Sequence, residues 1–302
     1  MKQLNRQTTL RTITLTLFLA VLLAACGNAG KKAEAVDVAE PAEPVQMQDQ
    51  DRMKLDQVFE TLGDDANMTV SQLVSGTGLM FLGTPYVAHT LETEPEQLVI
   101  NLSELDCTTF AENCLALART IQSGEETDSR FAAELKQIRY REGILDGYPS
   151  RLHYFCDWIY DNAKKGLVRD CSQELGGIRL DKEINFMSTH PESYTQLEND
   201  STLVEAIRRQ EAVISARDLY YIPEEQVEEA EGGLQEGDIA GITTSIEGIA
   251  IMHVVILVRR DGRIHLLHAS SAAGQVVVSD ETLSDYLRKS EKATGIMVAR
   301  PL

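Results

Sequence analysis

Three side chains of this chain have the types needed for thiol chemistry. Cys107 stands in Asp106-Cys107-Thr108-Thr109-Phe110, and two histidines follow far downstream, His253 in Met252-His253-Val254-Val255 and His268 in Leu267-His268-Ala269-Ser270. A cysteine attacks a carbonyl as its thiolate, and a neighbouring imidazole generates one near neutral pH by taking the thiol proton. The expected division of labour is Cys107 as nucleophile, His253 as base and then acid, and His268 as the group that holds the His253 tautomer. A single thiol in an acidic chain is more often a small buried hydrophobe. The two histidines and the export features described below weigh against that blander reading.

The elements around these residues must bring them together. Ser103 or Asp106 can cap a helix whose inner face includes Phe110, Leu117 and Ile121. Either cap sets Cys107 in the first turn, where free N–H groups and the helix dipole favour a negative sulfur. From Gly237 the apolar pattern changes to period two with β-branched residues. It predicts strands at 238–242, 249–258, 263–269 and 274–278, a helix near 281–290 and a last strand at 294–299. Asp261-Gly262 marks a hairpin turn between the strands that carry the histidines. A two-residue loop makes His253 diagonal to His268 on one face, and a four-residue loop puts them directly opposite. Both turn His265 to the other face; a three-residue loop would exchange His265 for His268.

Upstream, Met53, Leu55, Val58, Phe59 and Leu62 recur at helical spacing, and a second periodic stretch runs from about Val70 to Phe81. Leu98-Val99-Ile100 reads as a short strand or extended piece. Residues 128 to about 222 read as mostly helical, with Phe131, Leu135, Ile138, Tyr154, Trp158 and Ile159 on inner faces. Helices first and an antiparallel sheet afterwards make an α+β protein.

The first 25 residues read as an export signal. Lys2, Arg6 and Arg11 precede the apolar run Leu15–Leu23, which is too short to span a bilayer and ends in Leu23-Ala24-Ala25-Cys26. That ending resembles the lipobox of bacterial lipoproteins, which implies lipidation at Cys26 and a domain tethered to a membrane of the cell envelope. Residues 26–50, rich in Ala, Glu and Pro, read as a flexible tether, and 51–302 as the folded domain, with 128–236 a largely helical insertion. The formal charge of −19 argues against nucleic acid and anionic lipid as partners. The acidic run Glu224–Glu236 reads as a solvated face. Cys107, Cys114, Cys156 and Cys171 include no CxxC pair and no zinc-type Cys/His spacing, so neither metal nor cofactor is expected. Cys156 and Cys171 are read as core thiols in preference to a bridge, and Cys114 as core.

Several motifs in order also resemble a family. Leu82-Gly83-Thr84-Pro85-Tyr86, Asp106-Cys107, Gly237-Asp238, His253-Val254 and His268-Ala269-Ser270 look like those of the NlpC superfamily of cell-wall cysteine hydrolases, and span most of the domain. The sequence departs at Val255, where Gly is usual, and at Val87-Ala88-His89, where a Gly-rich pair is usual. Arg151-Leu152-His153-Tyr154 ahead of Asp157-Trp158-Ile159 is similar to a branch of N-acetylmuramoyl-L-alanine amidases acting on muropeptides, anhydro-muramyl ends included. The resemblance implies a papain-like core and cleavage of the amide between the muramyl lactyl group and L-Ala. It also implies that the Tyr86 hydroxyl joins the Cys107 N–H in holding the oxyanion. The residue patterns by themselves reach only a thiol amide hydrolase of the cell envelope.

Lesser expectations attach to other residues. Asp106 either fixes the helix start as a structural cap or also supports the catalytic group. Tyr154 and Trp158 either stack on a sugar ring or fill the core; Arg151 and His153 either take a stem-peptide carboxylate or pair at the surface; Ser270 is a candidate substrate contact; His89 and His190 are ordinary surface residues. Two other functions fit the same residues: an endopeptidase cutting the stem peptide after D-Glu, and a non-catalytic envelope-binding lipoprotein.

Overall fold

The computed structural model describes residues 47–63 and 68–302. The expected signal, Cys26 and nearly all of the tether lie outside the described residues. Among those described, no helix is long and apolar enough to cross a membrane.

The periodic apolar residues at the start become two helices. α1 (Asp49–Leu62) buries Leu55, Val58 and Phe59, and α2 (Val70–Met80) is capped by Thr69, whose hydroxyl accepts from Gln72 N while Gln72 answers to the Thr69 backbone. An extended segment then leads to α3 (Cys107–Ser123), which ends at Gly124 in the left-handed conformation. The α4 helix (Asp128–Arg139) packs on α3. Between them the buried Arg139 guanidinium donates to Glu112 at 2.7 Å and to the Val99 carbonyl at 2.6 Å. That pair fixes Leu98-Val99-Ile100, which is an extended piece, against the helices.

Next come α5 (Phe155–Lys164), β1 (Val168–Asp170), β2 (Ile178–Leu180), α6 (Phe186–Thr189), α7 (Ser201–Ser215), β3 (Leu219–Pro223) and α8 (Glu224–Ala230). The period-two region supplies β4 (Ile239–Thr244), β5 (Ile251–Arg260), β6 (Arg263–Ser270), β7 (Gln275–Thr282), α9 (Leu283–Lys289) and β8 (Ala293–Pro301). All described pairings between strands are antiparallel, in the order β2-β3-β8-β4-β5-β6-β7, with β1 beside the end of β8.

The α+β class therefore holds, with one correction inside 128–236. This stretch was expected to be largely helical, and it also adds β1, β2 and β3 to the sheet. They are three to five residues long, with charges at Arg169, Asp170 and Arg179, too short and polar to show a period.

Alternation along β5 and β6 divides the core. Val254, Ile256, Val258, Leu267 and Ala269 face the α1–α5 side; Val255, Leu257, Ile264 and Leu266 face Val227, Leu283 and Leu287 of α8 and α9. The Gly237-Asp238 pair seals α2 to this sheet. A Cβ on Gly237 would lie 1.7 Å from the Ser71 carbonyl oxygen, and buried Asp238 holds Arg300 through two bonds of 2.8 Å. The acidic run is likewise employed in part: Glu231 and Glu228 pair with Arg263.

Candidate active site

Asp106 builds the start of α3. Its Oδ1 accepts from the Thr108 and Thr109 N–H groups at 3.0 and 2.7 Å, and Thr109 Oγ1 accepts from Asp106 N at 2.9 Å. Of the two caps weighed from sequence, Asp106 is the one formed, and Ser103 instead donates to Asp51 at 2.7 Å. The cap uses the Thr108 and Thr109 donors and leaves the Cys107 N–H beside its own thiol.

The β5–β6 hairpin has the two-residue loop. Asp261 and Gly262 both have positive φ, 53° and 81°, the signature of a type I′ turn, and Arg260 pairs with Arg263. The ladder runs to Ile256↔Leu267 and stops. Beyond it the Val254 N–H turns to the Cys107 sulfur, so the thiol sits where the two strands part. The histidines are diagonal on one face, with His253 Nε2 and His268 Nδ1 2.6 Å apart and the rings inclined at 71°. His265 belongs to the other parity and its Nδ1 lies 3.0 Å from the Ser279 carbonyl oxygen.

The resting charges differ from the sequence expectation. Burial, then the Asp106 carboxylate, push the Cys107 thiol up to about 11, against the pull of the Val254 N–H, the Thr108 hydroxyl and its own N–H. The helix start does not yield a standing thiolate, because burial disfavours the charged sulfur and the Asp106 carboxylate opposes it further. Burial, with the His268 ring second, lowers His253 to about 3, and burial lowers His268 to about 4. The resting pair is thus thiol and neutral imidazole. For His253 to accept a proton on Nδ1, its Nε2 must carry hydrogen and donate to His268 Nδ1, which makes His268 the Nε2–H tautomer.

Two tyrosines flank the thiol. Tyr86 is half-buried in a segment tied on both sides, its N–H donating to the Gly274 carbonyl at 2.9 Å and the Val87 N–H to Leu105. Burial and then the nearby Cys107 raise the Tyr86 hydroxyl. Tyr286, which no motif marked, packs edge-on to the His268 ring at 6.0 Å, and burial followed by Cys107 raises its hydroxyl too. Its position on the short α9 carries no signal in sequence, because a helix docked across the sheet brings it there.

Cys107, His253, His153 and Tyr154 line one cleft, together with Phe186, Met187, Tyr194 and Ile251. The remaining candidates are elsewhere. Arg151 is buried and bound to two carboxylates of the chain itself, Glu92 at 3.2 Å and Glu96 at 3.3 Å, so it is not poised for a peptide carboxylate. Trp158 is fully buried and stacked on Phe155 at 4.6 Å, which makes it core and not a sugar platform. Ser270 caps a turn, accepting from Ala273 N at 3.2 Å. Tyr154 reaches the cleft with its ring, but its hydroxyl donates to Glu211 at 2.6 Å and accepts from Met187 N. Cys107, Cys114, Cys156 and Cys171 are all free. Among the described residues no cluster of three or more His, Cys, Asp or Glu is placed to hold a metal ion.

Comparison with known proteins supplies the family. The sequence profile of the family described as N-acetylmuramoyl-L-alanine amidase-like, or AmiA-like, matches residues 76–296. No curated protein matches. A solved N-acetylmuramoyl-L-alanine amidase from Bacteroides uniformis is 38% identical with a TM-score of 0.74, the match covering 77% of this chain and 98% of that one. A Bacteroides fragilis protein provisionally named a xylanase is 41% identical with a TM-score of 0.70, covering 74% and 98%. A Legionella pneumophila protein of the DUF1460 family shares the fold at 20% identity and a TM-score of 0.63, covering 84% and 95%.

These matches correct the assignment to the NlpC superfamily and remove the ground for calling the fold papain-like. The motifs behind that resemblance encode a helix cap beside a thiol and a histidine on a strand, which is local geometry and does not specify a superfamily. Val255, one of the departures, is fully buried between the sheet and the α8–α9 layer. The matching profile spans more than half of the sequence, and the chain belongs to the N-acetylmuramoyl-L-alanine amidase-like family.

Proposed function

We propose that this family member is a cysteine-dependent N-acetylmuramoyl-L-alanine amidase that cleaves the lactyl–L-Ala amide of muropeptides. The observation that carries the reading is that His253, which lines the same cleft as Cys107, is held by His268 through a 2.6 Å contact. In this scheme the Cys107 sulfur attacks the lactyl carbonyl as its proton passes to His253 Nδ1. The oxyanion takes hydrogen bonds from the Cys107 N–H, which the Asp106 cap leaves unused, and from the Tyr86 hydroxyl. His253 returns the proton to the L-Ala nitrogen, the C–N bond breaks, and the peptide leaves as a free amine. Water then attacks the thioester while His253 takes its proton, and the carboxylic acid and the thiol are released.

The name of the Bacteroides fragilis relative raises glycoside cleavage as an alternative. In most glycoside hydrolases that chemistry uses two carboxyl groups flanking the bond, roughly 5–10 Å apart. Among the described residues lining the cleft there is no Asp or Glu. Incubation with a disaccharide-tetrapeptide and mass spectrometry of the products tests the reading. The expected products are the intact disaccharide with a free lactyl carboxylate and a tetrapeptide with a free L-Ala amine. A cut after D-Glu, or between the sugars, overturns it.

We also propose that Cys26 is lipidated and tethers the domain to a membrane of the cell envelope. The support is the basic, apolar and Leu-Ala-Ala-Cys order of residues 1–26. Cys26→Ser should move the protein into the soluble fraction with unchanged turnover of soluble muropeptides. Persistent sedimentation with membranes after a salt wash would contradict the tether.

A further inference from the structure

The histidine pair owes its protonation state to what covers it. Burial, with the His268 ring second, lowers His253 to about 3, and burial lowers His268 to about 4. Among the described residues no carboxylate or cation shifts either ring, so the packing over the rings decides whether they stay neutral. The titratable groups around the pair are Cys107 and its cap Asp106 at the start of α3, Tyr86, His153 in the same cleft as His253, and Tyr286 of α9. The charges of α9 and of the end of β7 are engaged at the surface: Arg288 pairs with Asp285 and Glu228, Lys289 with Glu281, and Asp280 with Arg260.

The α9 helix brings Tyr286 to this pair. Leu283 and Leu287 are fully buried in the layer with Val255, Leu257, Ile264 and Leu266, and Thr282 caps the helix by accepting from the Asp285 N–H at 3.2 Å. His268 has the parity of Leu266, so its ring leaves β6 on the face that α9 covers. There it meets two rings, His253 at 4.9 Å and Tyr286 at 6.0 Å, with the Tyr286 plane inclined at 84° to its own. His268 is left only 5% exposed. Tyr286 is also near enough to Cys107 for the sulfur to raise its hydroxyl, second to burial. A ring packed at this place excludes water and brings no charge that would favour an imidazolium. We propose that Tyr286 is a positioning residue for the reaction, a cover that keeps water from the His253–His268 pair so that the pair stands ready as an unprotonated base.

The inference rests on the amidase reading for the use made of the base, but its first measurement needs no substrate. Proton–nitrogen spectra of the histidine rings, in protein labelled with nitrogen-15 at histidine, are followed from about pH 8 to about pH 5. The signals lost in His253→Gln and His268→Gln assign the two rings. In the wild type neither ring should take up a proton over this range. In Tyr286→Ala the pair should take up one proton with an apparent value within about half a unit of the ordinary 6.5. Its kcat/KM for muropeptide should then fall about tenfold or more between the two pH values, where the wild type changes less than about twofold. Tyr286→Phe keeps the ring and should match the wild type in both measurements. Leu283 and Leu287 still anchor α9 in these variants, and a melting temperature taken at the acid end shows that they are folded. Tyr286→Gln, which puts a polar chain in place of the ring, should titrate like Tyr286→Ala and is scored instead if that variant unfolds. A pair that stays neutral without the ring, a wild-type pair that titrates near 6.5, or a Tyr286→Phe protein that behaves like Tyr286→Ala overturns the cover. If the spectra come out as described while the wild type hydrolyses no muropeptide, the amidase reading fails and the cover stands.

Discussion

His253→Ala should reduce muropeptide hydrolysis by roughly 10²–10⁴-fold or more, because no other group in the scheme takes the thiol proton and returns it to the leaving amine. Cys107 is held up to about 11 by burial and Asp106, so without a base almost no thiolate exists at neutral pH. The pH profile of the wild-type protein checks the same point. A histidine lowered to about 3 remains an unprotonated base as the pH falls through 6.5, and it is lost only near its own folded value. The thiol, raised to about 11, stays the attacked-proton donor until far above neutrality. We therefore expect kcat/KM to be flat from about pH 4.5 to 9, without an acid limb near the ordinary histidine value. A limb near 6.5 in a protein shown to be folded there would mean that His253 is solvated in the working enzyme.

The second large effect separates the two ring partners. His268 accepts from His253 and touches no reacting atom in the scheme, so it is a positioning residue. His268→Ala should cost about 10–100-fold in kcat with little change in KM, in the range seen when an orienting hydrogen bond is removed. His268→Asn should restore part of this, since its carbonyl oxygen can accept from His253 Nε2–H across the 2.6 Å contact. His265→Ala should leave kcat within a few-fold of wild type, because its ring is bonded to the Ser279 carbonyl on the opposite face. A dead His265→Ala with an active His268→Ala would contradict this assignment. Steady-state kinetics of the four proteins, with KM and kcat resolved, decides.

How far these arrangements could be read from residues alone depends on how local their causes are. The hairpin was legible because Asp261-Gly262 favours the positive φ values of a tight turn, and period-two alternation then sets which face each histidine takes. Three loop lengths remained open, one of which would have exchanged His265 for His268, and the two-residue loop that forms puts the histidines on a diagonal. The helix start at Cys107 was legible from the cap residue, but its electrostatic effect was not. The carboxylate that caps the helix also opposes a negative sulfur beside it.

Residues whose roles depend on docking were less accessible. Arg151 reads as taking a stem-peptide carboxylate or pairing at the surface, and the chain instead buries it against Glu92 and Glu96 from far upstream. Trp158 belongs to a helix inner face, and only burial tells core from platform. Phe186, Met187 and Tyr194 come to the cleft on a short helix and loops without periodicity, and Tyr286 arrives on α9. The family lay partly beyond local reading for the same reason. Short motifs reported the chemistry of a thiol beside histidines, whereas the match over residues 76–296 reports the whole arrangement.

The central claim, that the Cys107 sulfur carries the acyl half of a lactyl–L-Ala amide, is open to direct observation. Wild-type protein mixed with excess disaccharide-tetrapeptide and quenched in acid during turnover is digested, and the peptide containing Cys107 is weighed by mass spectrometry. The account predicts a thioester adduct on Cys107 equal to the disaccharide with its lactyl acyl group, lacking every amino acid of the stem, and no adduct or turnover with Cys107→Ala. Continued hydrolysis by Cys107→Ala, or an adduct on Cys107 that includes L-Ala and D-Glu, would contradict it.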